Sequence, residues 1–132
     1  MIEQTELVVT KWTYNPPTDT SVGEKKIISS LEFDIMKKRN SVKKGILCRF
    51  TAEFEIGNEQ VLIYVGEDSY VMDFEDVVDK NELQTMIRNS YSKFNEAFEF
   101  RKLSTVLHSN YVKPFDESII DYDVLVHFVS FV

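Results

Sequence analysis

Hydrophobic residues recur at every second position over the first part of this chain and at helical spacing from Asp79 onward, and the period changes only once. A chain patterned in this way builds a sheet first and covers it with helix afterwards, which is the α+β class rather than alternating strand and helix units. Leu7 to Tyr14 is rich in Val, Thr, Trp and Tyr and stops at Asn15-Pro16-Pro17, residues that cannot continue a ladder. Next, Ile27, Ser29, Leu31, Phe33 and Ile35 alternate with Ile28, Ser30, Glu32 and Asp34. In the third segment Ile46, Cys48, Phe50, Ala52, Phe54 and Ile56 take one face, and Leu47, Arg49, Thr51, Glu53 and Glu55 the other. Gly57-Asn58 supplies a turn, and a fourth strand starts at Val61 to Val65 and continues past Gly66, through a bulge, to Phe74. The expected sheet is therefore four-stranded and antiparallel.

Asp79, with Glu82 three residues later, makes a capping box at the start of a helix. Leu83, Met86, Ile87, Tyr91, Phe94, Phe98, Leu103, Val106 and Leu107 then keep the i, i+3, i+4 spacing of a face laid on a sheet. The pattern extends to about His108 or Asn110, and Phe98 to Arg101 is where so long a helix is expected to kink or break. Ser109 to Ile120, with Pro114, reads as a connector, and Asp121 caps a short terminal helix from Tyr122, although Val124 to Val132 is β-rich in composition. With four Gly, three Pro and no internal repeat, residues 1–132 read as a single domain.

The chemistry that the sequence can support is narrow. There is no glycine-rich phosphate loop and no nucleophile elbow, and His108 and His127 have no cysteine or carboxylate at metal-ligand spacing. Cys48, the one cysteine, lies on the apolar face of the third strand as a small hydrophobe, with no base indicated beside it. The acids from Glu67 to Asp76 lack the spacing of a calcium loop and read as a solvated surface. No catalytic residue, metal or cofactor is therefore expected, and the chain is not expected to be an enzyme. The net charge of −7 opposes bulk attraction to nucleic acid or anionic lipid, and no apolar run reaches the length of a membrane span, so neither is expected as a partner and the chain is read as cytoplasmic. Charge is uneven, however. Glu24 to Arg49 carries eight basic residues against three acidic ones, while Glu53 to Glu82 carries ten acidic residues against Lys80 alone. The cluster Lys37-Lys38-Arg39 with Lys43-Lys44 falls where two strands reverse, and a solvated hairpin tip accounts for it. The aromatic residues, among them Trp12, Tyr14, Tyr64, Tyr70, Tyr91, Phe94, Phe98, Phe100, Tyr111 and Phe115, exceed what a small core hides, which points to self-association or ligand burial on the uncovered sheet face or beside the helix.

The order of four strands, long helix, connector and short terminal helix resembles the SecB export-chaperone family over nearly the whole chain. Trp12 to Pro17 is similar to the family's first strand and its exit, Phe33 to Phe54 to its central hairpin, and Val61 to Phe74 to its long fourth strand. Tyr111-Val112-Lys113-Pro114 and Ile120-Asp121-Tyr122-Asp123-Val124-Leu125 are similar to its connector and to the opening of its last helix. The resemblance implies an ATP-independent holdase that binds non-native polypeptide in apolar grooves of a homo-oligomer, a dimer or tetramer. It makes Tyr111, Val112 and Phe115 on the connector and Phe94 and Phe98 on the helix the candidate polypeptide-binding residues, with core packing the alternative for the two helix aromatics. A dedicated adaptor or antitoxin-type partner for one specific protein is the other reading. Asn95 to Phe100 stands in place of the family's Leu-Phe-Pro-Tyr-Ala-Arg segment. The family's acids that meet the ATPase SecA are replaced here by Lys11-Trp12-Thr13-Tyr14 and Leu62-Ile63-Tyr64-Val65, so docking to SecA is not expected.

Overall fold

The computed structural model of the protein describes residues 2–18 and 27–130. An antiparallel sheet is followed by two helices, in the order β1 (Glu3–Gln4), β2 (Val8–Tyr14), β3 (Ile27–Arg39), β4 (Lys44–Ile56), β5 (Glu59–Met72), α1 (Lys80–Arg101) and α2 (Tyr122–Val129). The described residues thus hold five strands where the periodicity predicts four. The extra strand, β1, is only two residues of polar sequence, and it is formed by pairing Glu3 and Gln4 with Val71 and Tyr70 rather than by any pattern of its own. In space β5 and β4 are central: β1 and β2 share the outer edge of β5, and β3 lies beyond β4 at the opposite edge.

The β4–β5 hairpin closes through Gly57 and Asn58, both with positive φ (55° and 69°), the backbone that a two-residue turn needs to match strand twist. The β3–β4 reversal is at residues 40–43, where Asn40 Oδ1 accepts the amides of Val42 and Lys43. Lys37 to Arg39 therefore belong to β3, not to the tip. The strand β5 continues past Gly66 and ends at Met72, short of Phe74. The ladder with β2 shifts beside Gly66, where Val9 pairs with Gly66 and Lys11 with Val65, and the ladder with β4 shifts between Phe54 and Glu55. Gly66 is required by packing: a Cβ there would lie 2.7 Å from Phe94 Cδ2 and 3.5 Å from Leu7 Cδ1.

Asp79 caps α1 by accepting the Glu82 amide at 2.7 Å, and the buried face of the helix is Leu83, Met86, Ile87, Ser90, Phe94 and Phe98. The helix ends at Arg101, within the stretch where a break is expected, and Leu103, although it keeps the apolar spacing, is exposed. Hydroxyls close that end: Ser104 donates to the Arg101 carbonyl and Thr105 to that of Lys102, while Thr105 Oγ1 accepts the Leu107 amide. The side chain of Lys102, buried to 4% exposure, turns back to Glu99 Oε2 (2.6 Å) and the Asn110 carbonyl (2.5 Å), so it ties the helix end to the connector. The core lies between the sheet and α1, where Tyr64 stacks on Phe94 at 4.2 Å, Trp12 meets Tyr64 edge-on at 5.3 Å and Phe54 meets Phe98 at 5.2 Å. Among the described residues, no helix is long and apolar enough to cross a membrane.

Candidate polypeptide-binding groove

The sheet edge formed by β3 pairs with β4 and, among the described residues, with no other strand. Its outer backbone N–H and C=O groups are therefore available to another extended chain. Alongside this edge runs α2. Asp121 caps that helix by accepting the Val124 amide, and Tyr122 and Val129 bury themselves against the domain. The sequence of α2 is apolar on more sides than one, so Val124 and Phe128, four residues apart, are left 65% and 44% exposed. Phe33, Ile35, Ile120, Val124, Leu125 and Phe128, with Asp34 and Asp121 at the rim, enclose a groove of about 410 Å3. Lys37 places its ammonium 4.7 Å from the centre of the Phe128 ring at one end.

The connector forms the neighbouring wall. Phe115 inserts its ring among Phe33 (5.4 Å), Phe50 (5.5 Å) and Tyr91 (5.8 Å), which joins the groove to the core. Tyr91 Oη donates to the Lys113 carbonyl at 2.9 Å, and Arg88 forms a two-pronged ion pair with Glu117 that holds the Glu117 carboxyl below its ordinary range. Tyr111 is 74% exposed, with the Lys102 ammonium 4.5 Å from its ring centre. Val112 is buried against the core. Of the five residues singled out from sequence, Phe115 packs half-buried against the groove residue Phe33, Tyr111 is exposed on the connector beside Lys102 at the end of α1, and Val112, Phe94 and Phe98 are enclosed within the chain, the two helix aromatics in the core stack described above. Ile120, Val124 and Phe128 were missed, yet a short helix whose apolar residues exceed one face is a readable sign of a surface awaiting cover.

A second feature without a sequence forecast is a polar cluster inside the core. Asp68, fully buried, accepts from Gln4 Nε2 (2.7 Å) and Ser90 Oγ (2.9 Å), and Lys93 Nζ lies 4.0 Å from its other oxygen. Its signal is visible in the alternation of β5, where an acid stands in phase with Leu62, Tyr64, Tyr70 and Met72. Tyr70 donates to the Met86 carbonyl (2.8 Å), and burial pushes its hydroxyl up to about 12. Cys48, across the ladder from Asp68, is buried as expected, and burial pushes its thiol up to about 12, far from a thiolate at neutral pH. His108 and His127 are both exposed. No group of three or more His, Cys, Asp or Glu among the described residues is arranged to hold a metal ion.

Neither a family model nor a curated protein matches the sequence. Among solved structures, the chain is similar to the SecB-like chaperone Rv1957 of Mycobacterium tuberculosis in complex with a ChAD peptide from the HigA1 antitoxin. The TM-score is 0.51 at 12% identity, over 86% of this chain and 90% of that one. A protein of unknown function from Streptococcus agalactiae aligns over 88% of this chain and 97% of its own, with a TM-score of 0.45 at 7% identity. The likeness to the chaperone shows the fold: a divergent SecB-like α+β architecture, with a fifth short strand.

Proposed function

We propose that this SecB-like chain is an ATP-independent holdase that captures non-native polypeptide in the groove between β3 and α2. The observation that carries the proposal is the apolar groove of Phe33, Ile35, Ile120, Val124, Leu125 and Phe128 running beside an unpaired strand edge. An extended client would gain main-chain hydrogen bonds from β3, which are indifferent to sequence, and would bury alternate side chains against the groove. Exposed Tyr111 and half-buried Phe115 extend that surface along the connector. No reaction is part of the proposal.

The working form is proposed to be a cytoplasmic homo-oligomer, a dimer or tetramer. Exposed Phe100 and Leu103 at the end of α1 and Val77 before it support self-association, since such apolar surface is costly in water. A mass of 15.4 kDa by light scattering at micromolar concentration would remove this part of the reading.

Aggregation of a chemically unfolded, slow-folding protein on dilution tests the holdase. Suppression without ATP at near-stoichiometric subunit ratio is expected, and its loss in Val124→Asp locates it in the groove. A second reading is a dedicated partner of one protein, favoured by the antitoxin peptide found on the structural neighbour. That reading predicts tight binding to a single ligand from lysate and no effect on the generic client.

A further inference from the structure

The groove is chemically polarised along β3. Side chains at alternate positions of this strand share one face, and on the face towards α1 they run Ile27, Ser29, Leu31, Phe33, Ile35, Lys37 and Arg39. The series changes from apolar to cationic at its C-terminal end. There Lys37 sits over the Phe128 ring that closes the groove, and Arg39 Cζ lies 5.1 Å from the centre of the Phe74 ring. Lys38, Arg39, Lys43 and Lys44 also line a second cleft, of about 450 Å3, together with Thr5, Ser69 and Val71. Lys43 is paired with Asp73 and Lys44 donates to the Asp76 carbonyl, so these two tie the hairpin to the segment after β5, and the cationic residues on the groove face of β3 are Lys37 and Arg39. The rim of the groove carries Asp34, between Phe33 and Ile35, and Asp121 at the end opposite Lys37, with Asp116 on the adjoining connector. A chain of net charge −7 thus places two of its basic residues, Lys37 and Arg39, where an extended client would leave the apolar groove.

From this complementarity we propose that the preferred occupant is an extended polypeptide segment with alternating apolar residues and acidic residues at one end, seated with those acids beside Lys37 and Arg39. The inference rests on the groove reading above and adds its charge preference. Apolar contacts supply retention, and the cationic end fixes which way the segment lies, because reversal would bring its acids to Asp121 and its apolar part off the aromatic wall. The same field draws acidic segments towards a protein that otherwise repels them.

The test uses the full-length chain and fluorescence anisotropy with labelled peptides of 13 residues, the length of β3. All share one alternating apolar centre. They carry two glutamates at the N-terminal end, two glutamates at the C-terminal end, two lysines at either end, or glutamines only. One of the two acidic peptides is expected to bind about tenfold more tightly than the glutamine peptide at low salt, the sum of two exposed ion pairs, with the lysine peptides weakest. The advantage should vanish at about 1 M salt, where screening acts within ~3 Å. Lys37→Glu/Arg39→Glu, two exposed positions whose exchange is expected to leave folding intact, should reverse the order. Equal affinity for acidic and glutamine peptides, or an order unmoved by the charge reversal, overturns the charge preference and leaves the groove standing. Absence of binding by every peptide overturns the groove itself, and pairing of β3 with a second copy is then read from a dimer that Lys37→Glu/Arg39→Glu does not dissociate.

Discussion

Replacing Gly66 by alanine separates this packing account from a generic one. In an open strand, glycine to alanine stabilises by about 0.4–1 kcal/mol, because it restricts the unfolded chain and favours extended backbone. At Gly66 the new Cβ would stand 2.7 Å from Phe94 Cδ2 and 3.2 Å from Cε2, and that ring is fully buried against Tyr64 at 4.2 Å and Phe50 at 5.4 Å. The ring must shift by several tenths of an ångström with aromatic neighbours on two sides, an overpacking cost of about 1–3 kcal/mol. With a urea slope near 2 kcal/mol/M, the midpoint should fall by about 0.5–1.5 M at matched subunit concentration. Phe94→Leu in the same background removes the offending ring edge, so the double variant should be less destabilised than the sum of the singles by at least about 0.5 kcal/mol. A Gly66→Ala protein as stable as the parent, or more so, with additive behaviour in the cycle, would refute the claim that α1 packs onto β5 through Phe94.

Asp68→Ala should destabilise by about 2–4 kcal/mol, since the Ser90 and Gln4 donors are left without their acceptor, and it should speed hydrogen exchange at the Thr5 amide, which donates to the Ser69 carbonyl across the β1 edge. Val124→Asp, at a 65% exposed site, should change stability by less than about 0.5 kcal/mol while lowering affinity for extended apolar peptides at least tenfold; a folded variant that binds normally would displace the groove from α2. The Arg88 hydrogen bonds depress the folded-state value of Glu117. Their stabilisation is therefore present above the unfolded-state value near pH 4.5 and is lost as pH falls through the folded one; Glu117→Gln should flatten that part of the acid unfolding curve. Cys48 should resist alkylation at pH 8 in the native protein and react fully once unfolded, because burial holds the thiol protonated; rapid native labelling would contradict the packing of β4.

Strand periodicity carried the sheet's centre because β4 is buried on one face and wetter on the other: Phe50, Ala52, Phe54 and Ile56 lie in the core while Glu55 is exposed. The caps at Asp79 and Asp121 were equally legible, being local hydrogen bonds that a carboxylate accepts from the amide three residues on. What escaped was set by distant parts of the chain. Two-residue β1 exists through its partners on β5, and the ring that excludes a side chain at Gly66 is 28 positions away. The break at the end of α1 was legible from the length of the apolar pattern, whereas the groups that make it were not, since Leu103, Val106 and Leu107 keep helical spacing while Thr105 and Lys102 satisfy the backbone in another way. Among the residues singled out from sequence, Phe94 and Phe98 lie in the core, because a helix aromatic looks the same in sequence whether it faces a core or a ligand. The α2 contribution required knowing which side of that helix the domain covers.

Hydrogen exchange across the whole chain, with and without a chemically unfolded client held in excess, tests the groove most directly. The account predicts that the β3 amides not bonded to β4, together with 111–129 on the connector and α2, gain protection, while the β2 edge of the sheet is unchanged. Protection confined to β1 and β2, or to the sheet face away from α1, with β3 and α2 exchanging as in the client-free protein, would contradict it.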